Sequence, residues 1–502
     1  MRVLQNINSS MKKLPILWFF GFILFLGWGC SSDEIKQEEI VEVTQDIEIQ
    51  DFIWQGMNLY YLWQENVPNL DDDRFSTDKE YVAFLKATPD PEEFFEKLIY
   101  NRQSVDYWSW IVDDYIELEK SFQGVSMSNG VDFGLMRFSG SDDVFGYVRY
   151  IMPDSDATGK NIKRGDFFTR VNGTQITVDN YRNLLFSENN TYTLGMADLV
   201  DNTLLPNGIE VELTKEEYTE NPIHTKRIIE KDGHRIGYLL YNGFSGGFDD
   251  ALNDVFLEFK SQNITELVLD LRYNPGGFGY IAVAMSSMVT GQFTGELFSQ
   301  ERWNSKLQAE LENAHPDWLV EKFVDKLPYG SAINSLNLNK LHVIVTNGSA
   351  SASELVINGL NPYIDVRLIG ETTRGKYTGS ITLYDSQDFR REGANPRHFY
   401  AMQPIVMQTQ NKLGETVKDG LEPHIYQEED LSDLGVLGDP DEPLLQTALG
   451  DILGIVARPE ARKLLPVEEV SNSKMHTLTR DNLYMDKPEL LKWKKRTDKL
   501  SE

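Results

Sequence analysis

From about Asp46 the apolar positions fall mostly three and four residues apart: Ile49, Phe52, Ile53, Met57 and Tyr60. That spacing predicts a helix with one apolar face. PEEFFEKLI opens with Pro91 and acidic residues, the first-turn chemistry of a second helix. Trp108 to Glu119 forms a third segment, so residues 46–123 predict a small helical domain with an aromatic core. At Gly124 the period changes. VDFGLMRF, FGYVRYIM and KRGDFFTRVNGTQI predict short strands separated by Gly-Asp and Asn-Gly turns, a β-rich unit over residues 124–215. Over residues 225–450, apolar strands (IGYLLYNGF, ELVLDLRYNPGG, LHVIVT, RLIGETTRGK) alternate with helices. In FDDALNDVFLEFKSQ, for example, Leu252, Val255, Phe256 and Phe259 share one side. This order implies a mostly parallel sheet covered by helices. Residues 294–335 predict a helical, mixed-charge insertion. Residues 451–502 form a polar extension, Lys-rich from Ser471, expected as a surface helix or partly disordered segment.

The first 45 residues have a different texture. Lys12 and Lys13 precede LPILWFFGFILFLGWGC, an apolar run too short for a comfortable membrane span. Residues 1–29 resemble a bacterial lipoprotein signal peptide, which makes Cys30 the lipid-bearing residue; the alternative is an uncleaved anchor helix. Residues 30–45 are an acidic tether, and acids just after the cysteine resemble the surface-export signal of Bacteroidetes-type lipoproteins. The resemblance implies a lipid anchor in the cell envelope, at the outer membrane. Cys30 is the sole cysteine, so the chain has neither an internal disulfide nor a cysteine zinc site. A formal charge of −30 argues against nucleic acid as a partner. There is no HExxH, phosphate-binding loop or dinucleotide fingerprint, and no metal or cofactor is expected.

Candidate chemistry centres on GSASASEL, residues 348–355. Alternating Ser-Ala suits a strand edge, a linker, a helix cap or a nucleophile turn. A buried strand enters it and the apolar-periodic ELVINGL leaves it, which places the serines at a helix N-terminus, beside unpaired N–H groups and the positive end of the dipole. Serine needs a base to act as a nucleophile. None of the seven histidines lies in a recognisable triad motif, and His342 sits mid-strand as a core or sheet-face residue. Lys376, twenty-five residues past Ser351 in GETTRGKYTGS, follows a strand and a glycine turn. A lysine can serve as base when burial disfavours its ammonium form. Asp270 and Arg272 are expected to form a structural pair.

SASASE, then GET-x-x-GK, after a strand ending DLRYNPGG, resembles the carboxyl-terminal processing serine peptidases, or tail-specific proteases, from about residue 124 to 430. The resemblance implies a multidomain α/β protein: a crotonase-like peptidase core with a PDZ domain and, here, an N-terminal helical domain. It makes Ser351 the nucleophile and Lys376 the base. The oxyanion donors become the backbone N–H groups of Ala352 and of Gly276 or Gly277. The family's glutamine, four residues past the lysine, is replaced by Ser380, a candidate orienter of the amine. Residues 124–215 resemble a PDZ domain, with Phe133-Gly134-Leu135 matching the loop that receives a peptide's terminal carboxylate. The implied activity is endopeptidase cleavage of envelope or exported proteins near free C-termini. The competing reading is a catalytically weak or inactive PDZ-containing scaffold lipoprotein.

Overall fold

A computed structural model describes residues 44–455, 465–478 and 483–485. The signal peptide, Cys30 and nearly all of the tether lie outside the described residues. The N-terminal region comprises α1 (Glu48–Tyr60), α2 (Asp78–Lys86), α3 (Pro91–Glu96) and α4 (Tyr115–Phe122). Asp90 and Asp114 cap α3 and α4 by accepting backbone N–H bonds. The expected third helix over Trp108–Glu119 is instead divided: β1 (Trp110–Val112) precedes α4 and pairs with a strand of the C-terminal half. The Asp106 carboxylate, accepting from the N–H groups of Trp108 and Ser109 and from the Tyr61 hydroxyl, makes the turn that breaks the helix.

The next unit runs β2 (Val125–Ser128), β3 (Val131–Phe138), β4 (Val144–Ile151), β5 (Phe167–Val171), β6 (Thr174–Gln175), α5 (Tyr181–Leu185), β7 (Thr191–Val200), β8 (Thr203–Thr214) and β9 (Glu216–Thr219). Strands β3-β4-β5-β7-β8 form an antiparallel sheet around Phe133, Leu135, Val148, Phe168 and Leu194. Phe133-Gly134-Leu135 therefore lies inside β3, with both side chains in the core, and is not a loop. Alternation of inward apolar residues outweighs the turn preference of the single glycine. A Cβ on Gly134 would stand 2.3 Å from the Tyr147 ring, so the glycine serves strand packing.

The largest region begins with β10 (Ile223–Lys231), β11 (His234–Tyr241), α6 (Asp249–Ser261), β12 (Glu266–Asp270), β13 (Gly277–Phe278) and α7 (Gly279–Thr290). It continues through β14 (Leu297–Trp303), α8 (Ser305–Ala314), β15 (Val320–Lys322), β16 (Lys340–Val345), α9 (Ala352–Leu360) and β17 (Asp365–Gly370). Then follow β18 (Thr378–Ser380), β19 (Leu383–Tyr384), β20 (Ala401–Gln403), β21 (Ile405–Asn411), β22 (Ile425–Tyr426) and α10 (Pro443–Ile452). Strands β11, β12, β16, β17 and β22 are parallel neighbours, with β10 antiparallel at the edge. Residues 294–335 are not wholly helical: β14 pairs with β21 and β15, and Ser299, Glu301 and Trp303, two residues apart, are its buried positions from Ser299 on. At the end of β12, Arg272 is fully buried and bonds Asp270 (2.8 Å), Glu442 (2.6 Å) and Glu429 (3.0 Å). The polar extension contributes two strands among its described residues. β23 (Val467–Asn472) adds antiparallel to β3, and β24 (Leu483–Tyr484) lies between β13 and β18. Strand addition uses main-chain groups and needs no apolar period, so the side-chain pattern does not announce it.

Candidate active site

The parallel sheet delivers two turns to one place. β12 runs into Arg272–Gly276 and β16 into Thr346–Ala350, and the two are laced together. The Ala350 N–H donates to Asn274 O (3.1 Å), and the Asn274 side chain donates to Tyr241 O (2.8 Å). The three serines of the Ser-Ala run then separate by role. Ser349 Oγ donates to Leu271 O (2.7 Å) and Ser353 Oγ to Asn274 O (3.0 Å). Ser351 Oγ, on a residue 1% exposed, makes no hydrogen bond to any described residue. Ser351 precedes α9 at φ 63°, ψ −112°. That left-handed φ costs on the order of 1–3 kcal/mol in a non-glycine residue and persists only where surroundings impose it.

What imposes it is Glu354. Its buried carboxylate accepts the Ser351 N–H (2.8 Å) and Lys376 N–H (2.9 Å) on Oε2, and the Gly375 N–H (2.7 Å) and Thr373 hydroxyl (2.6 Å) on Oε1. Because one oxygen takes both amides, the backbone nitrogens of Ser351 and Lys376 are at most about 6 Å apart. Burial pushes the Glu354 carboxyl up to about 7, against the lowering effect of these four bonds. The lysine turn is braced from behind: the Leu421 N–H, in the KDGLEPHI segment, donates to Thr373 Oγ1 (2.8 Å). Glu354 was missed in the sequence, although Ser351-x-x-Glu354 has the spacing of a capping box.

The Lys376 side chain is buried, and its Nζ lies 5.6 Å from the centre of the Trp108 ring. Trp108 thus carries the N-terminal region into the site. The Ser380 hydroxyl, the candidate orienter of the amine, donates to Leu483 O (3.4 Å), since β18 lies beside β24. Gly276 has φ 107°, and a Cβ there would stand 2.6 Å from Ser351 Cβ and 3.0 Å from Ala352 N. Only glycine permits this approach. The Gly276 N–H is committed to Asn274 Oδ1 (2.9 Å), and Gly277, at φ 135°, is paired with Leu483. Ala352 is the first residue of α9, and its N–H has no intrahelical acceptor. His342 is buried in β16 with Nε2 3.1 Å from Asp451, and burial lowers its pKa to about 4. It takes no part in the Ser351 constellation.

Residues 235–426 match the model of peptidase family S41, and residues 48–110 match that of the peptidase S41 N-terminal domain. A "Probable CtpA-like serine protease" of Staphylococcus aureus is 26% identical over 265 residues, covering 52% of this chain and 47% of the relative. Its Staphylococcus epidermidis counterpart is 25% identical over 229 residues, 45% of this chain and 41% of the relative. The chain thus spans under half the length of these curated relatives. A candidate S41 protease from Bacteroides fragilis, a crystal structure, aligns with TM-score 0.61 and 25% identity over 83% of this chain and 100% of that one.

Proposed function

The chain belongs to peptidase family S41, and from that premise we propose that it is a serine endopeptidase acting through Ser351 and Lys376. The observation that carries the reading is the shared carboxylate of Glu354, one oxygen of which accepts the backbone N–H groups of both residues. In the reaction the uncharged Lys376 amine takes the Ser351 proton as Oγ attacks a peptide carbonyl. The oxyanion is held by the Ala352 and Gly277 N–H groups, with the α9 dipole adding to them. Lys376 then gives the proton to the departing amine. Water, deprotonated by the same amine, releases the acyl group and restores Ser351.

Residues 124–215 are best taken as a PDZ-like module that receives extended polypeptide along β3, and the parallel core as crotonase-like. Substrates are proteins presented by a free C-terminus. A lipid on Cys30 would hold the enzyme at the envelope, in keeping with the leader's composition. The test is hydrolysis of fluorescent casein by the full chain beside Ser351→Ala and Lys376→Ala. Loss of at least a thousandfold in both supports the dyad; wild-type rates in either reject it. One observation favours the scaffold reading: the Ser351 hydroxyl has no hydrogen bond to Lys376. Peptide capture without any hydrolysis by the unmodified chain would establish it.

A further inference from the structure

The two described strands of the C-terminal extension each fill a strand-edge site that an extended polypeptide could use. β23 lies antiparallel on β3, with Val467 opposite Phe138, Ser471 opposite Leu135 and Asn472 opposite Gly134. Where β3 begins, the Ser473 hydroxyl accepts the Phe133 N–H (3.1 Å) and donates to the Asp132 carboxylate (2.8 Å). Lys474 Nζ donates to Asn242 O (2.8 Å), and the His476 ring stacks on Phe186 at 3.6 Å. A cavity of about 740 Å³ runs beside this stretch from Phe133 and Phe186 to Gly276, Gly277 and Tyr484.

Farther on, β24 lies parallel to both β13 and β18 and is the strand that joins them. Without it their sheet has a gap one strand wide. Leu483 stands opposite Gly277, the oxyanion residue, and Tyr484 opposite Phe278 on one side and Ser380 on the other. The Met485 N–H donates to Ser380 O (3.1 Å), and the Tyr484 ring packs on Phe122 with centroids 4.3 Å apart. Leu483, Tyr484 and Met485 are all buried. The main chain of a polypeptide therefore already passes between the turn that carries the oxyanion donor and the strand that follows the base.

We propose that the stretches 467–477 and 483–485 are a ligand in cis, seated in the track that takes extended polypeptide, and that they hold the peptidase latent. The inference rests on the Ser351–Lys376 reading only for what is being inhibited. Main-chain pairing at both ends accepts any extended chain. A tethered segment competes at an effective concentration near millimolar. An incoming substrate must displace β24 before its own carbonyl can reach Gly277.

The test uses the full chain and a loosened full chain carrying Ser473→Ala, Lys474→Ala and Tyr484→Ala, with thermal melts to confirm folding. Casein hydrolysis should rise at least tenfold in the loosened chain. In a Ser351→Ala background, a fluorescein-labelled synthetic peptide of sequence 467–485 should bind the loosened chain at least tenfold more tightly than the unloosened one. A folded loosened chain with unchanged hydrolysis and unchanged peptide binding overturns the proposal. Tighter peptide binding with no hydrolysis by any chain upholds the occupied track and rejects the peptidase reading instead. If the loosened chain does not fold, hydrogen exchange on the unmodified chain decides. Amides of 467–472 should exchange faster when the unlabelled peptide is in excess; protection equal to that of β4 throughout overturns the proposal.

Discussion

Replacing Glu354 by glutamine perturbs the group that links the Ser351 and Lys376 turns while keeping its size. The carboxylate accepts four bonds, two on each oxygen. An amide has one acceptor oxygen and one donor nitrogen. In its best orientation the oxygen keeps the Ser351 and Lys376 N–H groups, and the nitrogen donates to Thr373 Oγ1. The Gly375 N–H is then buried without an acceptor, at a cost of about 1–3 kcal/mol. Titration adds a pH dependence. Burial first of all raises the folded-state pKa of Glu354 from 4.5 to about 7. Between those values the folded wild type holds a proton that the unfolded chain has lost. Its stability therefore falls as pH rises through that window, by on the order of 3 kcal/mol in all. Glutamine does not titrate. By chemical denaturation the wild type should be close to Glu354→Gln near pH 4.5, where the folded carboxyl carries a proton and offers the same donor and acceptor as the amide, and should fall relative to it by pH 8. Casein hydrolysis at pH 8 should nevertheless fall about 10–100-fold, because small displacements of reacting groups are costly. A stability margin that widens with pH, or a variant as active as wild type, would refute the linkage of Ser351 and Lys376 through this carboxylate.

Gly276→Ala should cut hydrolysis at least a hundredfold in a steady-state assay, since its Cβ would meet Ser351 Cβ at 2.6 Å from a φ of 107°. Arg272→Met should lower unfolding free energy by about 3–5 kcal/mol in urea, because Asp270 and Glu442 remain buried without their cation. Burial lowers the His342 pKa from 6.5 to about 4, so the folded chain resists protonation that the unfolded chain accepts. Stability should fall as pH drops from 6.5 toward 4, and His342→Gln should flatten that slope in pH-dependent melts.

The strand–turn–helix at Ser351 was legible because LHVIVT and ELVINGL bracket the serines with opposite periodicities. Lys376 was legible as a residue returning to the same sheet end after β17. What separates the three serines is not local: the Ser349 and Ser353 hydroxyls donate to carbonyls seventy-eight and seventy-nine residues away. Trp108 escaped notice for a related reason: its contact with Lys376 spans two regions, and local pattern carries no trace of it. Ser380 stands where the family resemblance implies a glutamine, and its bond to Leu483 O, 103 residues away, is not visible in local pattern. Phe133-Gly134-Leu135, matched to a peptide-binding loop by resemblance to a PDZ domain, illustrates a glycine that serves close packing inside a strand.

The central claim is that Ser351 becomes a nucleophile through Lys376. It is tested most directly by mass mapping of the adduct formed with a small fluorophosphonate across pH 5–9. The account predicts one adduct, on Ser351, whose rate rises with pH in the wild type and drops at least a hundredfold in Lys376→Ala. An adduct on another residue, or undiminished labelling of Ser351 in Lys376→Ala, would contradict it.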